Sequence, residues 1–296
     1  MLEFKRLTVE DRCIVQPLLQ QSQSNLCNFS FANQIMWEET FHSQFALLDE
    51  MLIIRFQLNG KTHFYFPIGQ GDVKQTLEKM MHYAQMQNIK FRMCPITEEK
   101  KAFLEENYPN QFIFSTSRDY ADYLYKTQDL IELKGKDYQP KRNHINKFKK
   151  LYNYTFVPLT QQDISDCLQM LEQWTVEQNC GKENCSFEQE TCAAKIALNQ
   201  FDAIGMQGGV LRVDGKVAAF TLGQVISTNT FGVCVEKALS QYKGAYPMIN
   251  QQFLEHQVAD FQFVNREEDL GVAGLRKAKL SYRPYKLLTK YCLSVK

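Results

Sequence analysis

Two stretches of the chain resemble each other, and they constrain the possible folds most strongly. Residues 52–69 read LIIRFQLNGKTHFYFPIG and residues 210–223 read VLRVDGKVAAFTLG, so each has apolar runs around an Asn-Gly or Asp-Gly pair followed by lysine. Such pairs accept positive φ values and favour two-residue hairpin turns between antiparallel strands. Because the two hairpins lie about half a chain apart, they predict a duplicated domain, although hairpins of this kind are common.

Segments with helical spacing flank both hairpins. They cover residues 8–22, 71–88, 160–178 and 190–205, and residues 285–295 read as one final strand. This mixture predicts an α/β (α+β) fold with two tandem units, each a mixed, mostly antiparallel sheet flanked by helices. Gly135 and Pro140 interrupt the pattern. We therefore place the boundary between an N-terminal unit, 1–134, and a C-terminal unit, 135–296.

The bulk composition limits the classes of function. Hydrophobic residues make up 44% of the 296 positions and charged residues 23%, which is typical of a chain that buries a core. The net charge of +1 excludes a uniformly basic nucleic-acid binder but allows a local basic patch. No apolar run approaches the roughly 20 residues needed to span a bilayer, and no secretory signal is visible. We expect a soluble, cytoplasmic protein without a transmembrane segment.

The cysteines do not predict a metal site. Cys180, Cys185 and Cys192 form the one local cluster among nine cysteines. Their spacing fits no common zinc pattern, and no histidine lies nearby. We interpret them as reduced thiols and expect no metal.

A glycine loop in the second half is the first candidate for chemistry. In residues 233–253, VCVEKALSQYKGAYPMINQQF, an apolar strand ends near Glu236, and a helix begins near Tyr246 after Gly244. Such a loop directs backbone N–H groups towards a phosphate or carboxylate. Gln241 and Gly244 resemble part of the Q-x-x-G-x-G/A loop with which GCN5-related acetyltransferases hold coenzyme A, although Tyr246 replaces the last small residue. Glu236 is a candidate general base, and a structural salt bridge is the alternative.

Residues 265–284, NREEDLGVAGLRKAKLSYRP, concentrate both signs of charge around two glycines. They read as a strand end, a loop and a short helix beginning near Ala273 or Gly274. Arg276 and Lys279 share one face of that helix, whereas Lys277 points elsewhere. The acidic residues could pair with these bases, or some bases could hold an anion.

This segment resembles the C-terminal signature of phosphatidylglycerol lysyltransferases, which move lysine from lysyl-tRNA to a lipid headgroup. The matching residues are Asn265, Arg266, Glu267, Asp269, Leu270, Gly271, Gly274, Leu275, Arg276, Lys279, Ser281, Tyr282 and Pro284. The resemblance extends less specifically upstream and covers most of the chain. It implies two tandem acetyltransferase-like domains, as in the peptidoglycan aminoacyltransferases that use aminoacyl-tRNA.

A basic stretch lies at the start of the second half. Lys141, Arg142 and Lys147 fall close together on a predicted helix. Such a patch favours a phosphate-rich donor such as tRNA or coenzyme A. An ordinary solvated helix with surface lysines is the alternative.

These observations predict an acyl- or aminoacyltransferase that moves its acyl group from coenzyme A or an aminoacyl-tRNA to an amine or hydroxyl acceptor, either a small molecule or a lipid headgroup. No cofactor is expected to be bound permanently. We assign catalysis to Glu236, with Glu268 or Asp269 as substitutes, and backbone N–H groups to the acyl oxygen. Donor contacts are assigned to Gln241, Gly244, Arg276, Lys277 and Lys279, and support to Asn265, Arg266 and Tyr282. A catalytically silent module that senses an acyl-CoA, a nucleotide or another anionic metabolite is the alternative.

Overall fold

The computed structural model describes residues 2–179 and 185–296. Its strands are β1 Lys5–Arg6, β2 Gln44–Leu48, β3 Met51–Leu58, β4 Lys61–Phe64, β5 Ile68–Gly69, β6 Arg92–Ile96, β7 Phe112–Thr116, β8 Asp122–Lys126, β9 Tyr154–Pro158, β10 Gln207–Val213, β11 Lys216–Ser227, β12 Thr230–Ala238, β13 Phe263–Asn265, β14 Lys286–Leu288 and β15 Tyr291–Val295. Its α-helices are α1 Arg12–Gln21, α2 Phe31–Met36, α3 Glu38–Phe41, α4 Val73–Met86, α5 Glu98–Asn107, α6 Thr127–Glu132, α7 Gln139–Leu151, α8 Ile164–Asn179, α9 Cys185–Asn199, α10 Ala245–Phe253 and α11 Ala273–Leu280.

The strands form two mixed sheets flanked by helices. The first sheet has the order β1-β2-β3-β4-β6-β15-β7, with β5 also on β3, and the second has the order β14-β8-β13-β12-β11-β10-β9. Most neighbours are antiparallel, while β4 with β6 and β12 with β13 are parallel. The predicted fold class, an α/β (α+β) chain of mixed, mostly antiparallel sheets flanked by helices, is confirmed.

Both predicted hairpins are present, β3–β4 in the first sheet and β10–β11 in the second. Asn59 and Gly60 turn between β3 and β4 with φ values of 52° and 68°, and Asp214 and Gly215 turn between β10 and β11 with 49° and 81°. Positive φ at both turn positions matches the right-handed twist of the strands. The residue types at these turns therefore set the register of both hairpins.

The two units exchange strands. β8 lies before the predicted boundary but pairs with β13 and β14 in the second sheet. The final β15 returns to the first sheet, between β6 and β7. The division at residues 134 and 135 stays a prediction, and these two strands cross it.

The C-terminal segment corrects one prediction. Residues 285–295 form two short strands, β14 and β15, which join different sheets, rather than one strand. Lys290 lies between them and is 7% exposed. Its Nζ atom is 2.6 Å from Asp122 Oδ1, so a buried ion pair holds the chain at the crossing point between the sheets.

Apolar residues fill three regions around this framework. One cluster packs α1, α2, α8 and α9 between the two sheets, one lies under α7 and α10 against the second sheet, and one lies under α4 and α5 against the first. Of the three clustered cysteines, Cys180 and the side chain of Cys185 lie outside the described residues. Cys192 contacts Glu39, with Sγ 3.3 Å from Oε2.

Candidate functional site

The strands β12 and β13 separate in the middle of the second sheet. Their parallel pairing joins Thr230–Gly232 to Phe263–Asn265, while β12 continues to Ala238. In the pairing with β11, Leu222 faces Val235 and Gly223 faces Val233, so Cys234 is an extra, bulged residue. Bulges bend a strand and re-aim its side chains. A gap therefore opens between β12 and the chain that follows β13.

An ion pair crosses the gap on the face covered by α10. Arg266 Nη2 donates to Glu236 Oε1 at 2.8 Å, and Asn250 Nδ2 donates to Glu236 Oε2 at 3.0 Å. Both charged side chains are 12% exposed. Both carboxylate oxygens of the predicted base are thus engaged by protein donors, which favours the alternative of a structural salt bridge for Glu236. Its catalytic role stays a prediction.

Among the described residues, one guanidinium nitrogen of Arg266 donates to no acceptor. Its guanidinium lies 4.8 Å from the centroid of the Tyr282 ring. Its Nη1 atom is buried and has no hydrogen-bond partner within residues 2–179 and 185–296. Buried donors are normally paired, so the unpaired Nη1 beside the gap is available to donate a hydrogen bond to a substrate oxygen.

Lys141 of the predicted basic patch lies on the same face. Its Nζ atom is 3.9 Å from the centroid of the Tyr282 ring. Burial, together with the nearby Arg266, lowers the pKa of Lys141 to about 8. Desolvation and a like charge both disfavour the ammonium form. Lys141 can therefore gain or lose a proton near neutral pH.

Glu267 lies on the opposite face of the gap. Its carboxylate lies near the thiol of the bulged Cys234, which donates to the carbonyl oxygen of Gly232 at 3.8 Å, and Asn33 Nδ2 donates to Glu267 Oε1 at 3.2 Å. Burial first, and then the neighbouring Glu268 and Asp122 carboxylates, raise the pKa of Glu267 to about 8. A carboxylate tuned towards neutrality at a structural gap is a candidate for proton transfer.

Glu267 was not predicted as a functional residue, although its position at the end of a strand was a usable signal. Successive side chains of a strand point to opposite faces of the sheet. Arg266 and Glu267, at the end of a strand, are therefore expected on opposite faces. The positive φ of 55° at Glu267 was not readable from residue types.

A buried charge network lies behind Glu267, where the two sheets meet. Lys290 Nζ is 2.6 Å from Asp122 Oδ1 and 3.0 Å from Glu268 Oε2. Asp122 Oδ2 accepts from Cys27 N at 2.9 Å and from Asn265 Nδ2 at 2.8 Å. Glu268, a predicted substitute base, is therefore held by an ammonium group. Asn265 belongs to this network through Asp122, and its supporting role at the site stays a prediction.

The same network contains a group with metal-ligand spacing. One ligand atom from each of Cys27, Asp122 and Glu268 lies within 4.8 Å of the others. Lys290 Nζ contacts all three, including Cys27 Sγ at 3.6 Å. The ammonium group thus takes the position that a cation would need.

Asp269 is saturated by protein donors. Arg276 donates Nε to Oδ2 at 2.9 Å and Nη2 to Oδ1 at 2.7 Å, and Gly271 N reaches Oδ1 at 2.9 Å. Arg118 Nη1 and the Tyr123 hydroxyl also donate to Oδ2. The hydrogen bonds from Arg276 hold the pKa of Asp269 well below its usual range. This geometry favours a structural role over the predicted role as substitute base.

The bases of α11 divide as the helical spacing predicts. Arg276 and Lys279 face the loop, and Lys279 Nζ donates to the carbonyl oxygens of Arg266 at 2.6 Å and Glu268 at 2.5 Å. Lys277 is exposed. Arg276 and Lys279 therefore brace the loop with their charges, whereas Lys277 makes no such contact within the described residues and is exposed. Their assignment to donor phosphates stays a prediction.

The glycine loop is covered by its own neighbours. Ser240 N donates to Glu177 Oε2 at 3.0 Å, and Lys243 N to the Tyr152 hydroxyl at 3.3 Å. At Gly244, with φ of 96°, an added Cβ would lie 2.6 Å from the backbone oxygen of His144 in α7. These contacts occupy backbone donors of the predicted loop, so its assignment with Gln241 and Gly244 stays a prediction.

The other members of the basic patch have different surroundings. Arg142 Nη1 donates to the carbonyl oxygen of Leu133 and, at 2.8 Å, to that of Gly135, beyond the C-terminal end of α6. Lys147 is exposed on α7. The three bases of the patch therefore face the gap, a helix end and solvent respectively.

The corresponding position in the first sheet is apolar. The parallel pairing of β4 with β6 is limited to Phe64 and Met93. Beyond this pair, Phe66 and Ile96 are buried in one cluster, and Tyr65 belongs to another. The charged gap of the second sheet is thus the stronger candidate for chemistry.

Comparisons with known proteins agree on the fold. A conserved protein of unknown function from Bacteroides thetaiotaomicron is 40% identical, with 100% of each chain covered and a TM-score of 0.95. The structure of L-PGS from Bacillus licheniformis matches with a TM-score of 0.65 at 13% identity, over 94% of this chain and 90% of that one. At this identity the likeness shows the fold alone.

A curated relative and the family model extend the comparison. An uncharacterized protein of Mycoplasmoides gallisepticum is 25% identical over 200 residues, which are 65% of this chain and 61% of that protein's length. None of the helices in the described ranges combines the length and the apolar character needed to cross a bilayer. The family model described as "Phosphatidylglycerol lysyltransferase, C-terminal" matches residues 19–294. The match takes in nearly the whole chain, and the protein therefore belongs to this family.

Proposed function

We propose that the protein transfers an aminoacyl group from an aminoacyl-tRNA to an amine or hydroxyl acceptor at the gap between β12 and β13. Membership of the family suggests an acyl- or aminoacyltransferase-like function. The observation that carries the proposal is the end of strand pairing at Gly232 and Asn265, which leaves Arg266 on one face of the gap and Glu267 on the other. A reacting ester at this position would meet a cationic donor and a carboxylate of raised pKa.

The surroundings of the glycine loop favour an aminoacyl-tRNA over coenzyme A as donor. Coenzyme A would need backbone donors of this loop for its pyrophosphate. Ser240 N and Lys243 N already donate to Glu177 and Tyr152, and α7 lies against Gly244. The exposed Lys147 and Lys277 offer charges to a nucleic-acid backbone at the surface instead.

The proposed reaction needs one proton acceptor and one oxyanion donor. The acceptor's amine or hydroxyl attacks the ester carbonyl carbon, and the Glu267 carboxylate takes its proton. Arg266 Nη1 donates to the carbonyl oxygen as negative charge develops there. The bond to the ribose oxygen of the tRNA then breaks, and Glu267 returns the proton to that oxygen. Glu236 keeps the guanidinium of Arg266 oriented through the 2.8 Å ion pair.

Radioactive aminoacyl-tRNA provides the test of turnover. The protein is incubated with tRNA carrying labelled amino acids and with phosphatidylglycerol vesicles or spermidine as acceptor, and labelled product is measured. We expect Glu267→Gln to lower the rate about 100-fold or more, with donor binding retained. In the native protein the rate should rise with pH through about 8, since the carboxylate form is the base. The matched control is Glu99→Gln, because the Glu99 side chain is 83% exposed.

Four outcomes would count against parts of this proposal. Full activity of Glu267→Gln would remove Glu267 as the base, and a large loss in Glu236→Gln alone would restore Glu236 to that role. Release of free thiol from acetyl-CoA, dependent on an amine, would replace the aminoacyl-tRNA donor with coenzyme A. The absence of product from every donor would point to the alternative function below.

A catalytically silent binding module is the second candidate function. The pairing of charged side chains of the signature with protein partners favours it. Asp269 accepts from Arg276, Arg118, Tyr123 and Gly271, so much of the signature stabilises the fold itself. A ligand that binds the folded state raises its melting temperature. Stabilisation by aminoacyl-tRNA or an acyl-CoA without turnover would support the sensing function.

A further inference from the structure

We propose that the first sheet carries a separate binding site for a phosphate group, as inorganic phosphate or as a small phosphate ester. The site is an open cleft of about 260 Å³ at the β3–β4 hairpin, lined by Lys61, His63 and Arg92 together with polar and apolar residues. It lies in the other sheet from the gap described above, and it does not rest on the proposed transfer reaction.

The strand register brings the polar side chains to one face of the sheet. Phe64 pairs with Met93, so His63 lies beside Arg92 on the neighbouring strand. Arg92 in turn pairs with Ser294 of β15. Residues that lie opposite one another on adjacent strands share a face, so His63, Arg92 and Ser294 form one row along the cleft.

Among the described residues, the positive charges of Lys61 and Arg92 at the cleft lack carboxylate partners. None of the residues that line the cleft is acidic. In the described part of the chain neither Lys61 nor Arg92 forms a salt bridge, and the hydrogen bond of Arg92 Nη1 goes to the carbonyl oxygen of Lys90 at 3.2 Å. Neighbouring like charges across strands destabilise a sheet. A bound dianion would offset this repulsion, whereas a single carboxylate would offset less of it.

His63 becomes an additional hydrogen-bond donor when a phosphate is bound beside it. Its ring is 8% exposed, and Nδ1 lies 3.0 Å from the carbonyl oxygen of Lys61. A carbonyl accepts only, so Nδ1 carries the proton, and Nε2 is the nitrogen that can take up a second one. Burial first, and then the charges of Arg92 and Lys61, lower the pKa of His63. A phosphate beside the ring would raise that pKa and make Nε2–H a third donor.

Phosphate alone, methyl phosphate and acetate are the probes in calorimetric titrations of the whole protein. We expect saturable binding of phosphate or methyl phosphate and markedly weaker binding of acetate. Tighter binding of methyl phosphate would identify an ester as the natural form, and tighter binding of phosphate the free anion. Arg92→Gln should weaken binding about tenfold or more, since it removes a charge-assisted hydrogen bond to the anion.

Lys61→Gln should weaken phosphate binding several-fold. The matched control is Lys216→Gln, because Lys216 follows the Asp-Gly turn of the second hairpin as Lys61 follows the Asn-Gly turn of the first. NMR titration of the His63 ring should report a higher pKa when phosphate is present. Unaltered binding in both Arg92→Gln and Lys61→Gln, equal weakening by Lys216→Gln, or an unchanged His63 pKa would overturn the proposal.

Discussion

Arg266 Nη2 lies 2.8 Å from Glu236 Oε1, and this ion pair joins β12 to the chain beyond β13 where the backbone pairing has ended. On the opposite face, the Glu267 carboxylate lies near the bulged Cys234 and accepts from Asn33 Nδ2 at 3.2 Å. The gap is therefore bounded by titratable or charged groups on both faces. A substrate that enters it meets these side chains instead of a continuous backbone ladder.

Replacing Asp269 by asparagine should destabilise the fold by about 2–3 kcal/mol. The substitution removes the charge that Arg276 and Arg118 surround. A fully buried pair would cost about 3–5 kcal/mol, but these arginines are 33% and 37% exposed, so solvent screens part of the effect. Urea unfolding measures the change. Asp119→Asn, at a side chain that is 46% exposed, is the control and should cost within about 1 kcal/mol; equal losses in both variants would contradict a special role for Asp269.

Lys290→Met should be among the most destabilising single changes, by about 3–5 kcal/mol at pH 7. It leaves the carboxylates of Asp122 and Glu268 without their ammonium partner, at a side chain that is 6% exposed. The deficit relative to the native protein should shrink as pH falls, because unpaired buried carboxylates take up protons more readily than exposed ones. Unfolding free energies between pH 7 and pH 4 test this, with the exposed ion pair variant Lys79→Met as control. A deficit that grows at low pH would be inconsistent with the ion pair.

Gly244→Ala should cost about 1–3 kcal/mol, whereas Gly274→Ala should be neutral or stabilising. Gly244 has φ of 96°, and a Cβ there would approach His144 O to 2.6 Å. Gly274 lies in α11 with no atom within 4 Å of an added Cβ, and alanine favours helix by up to about 1 kcal/mol. Thermal unfolding of the two variants side by side checks the contrast. A tolerated Gly244→Ala would mean that α7 can move away from the loop.

Glu267 should make stability depend on pH between its unfolded and folded pKa values. Its pKa is raised from 4.5 to about 8, so its stabilising contribution is complete below about 4.5 and is lost as pH rises through about 8. Glu267→Gln mimics the protonated form. The variant should therefore gain melting temperature relative to the native protein at pH 9 but not at pH 4.5. A difference that stays constant across this range would show that Glu267 titrates normally.

Local features were predictable from residue types. The Asn-Gly and Asp-Gly turns, and α11 with Arg276 and Lys279 on one face, follow from short-range backbone preferences and helical spacing. The signature in residues 265–284 also indicated the family correctly.

Long-range arrangements were not predictable in this way. Residues 285–295 have the apolar pattern of one strand, but burial of Lys290 against Asp122 and Glu268 divides them between the two sheets. The raised pKa of Glu267 likewise depends on burial in the folded chain and on Asp122, which is distant in sequence. The sequence by itself determined the turns, most of the helices and the family. The tertiary structure decided which charges are paired, which strand joins which sheet and which carboxylate is tuned, because desolvation and charge pairing depend on neighbours that only the folded chain brings together.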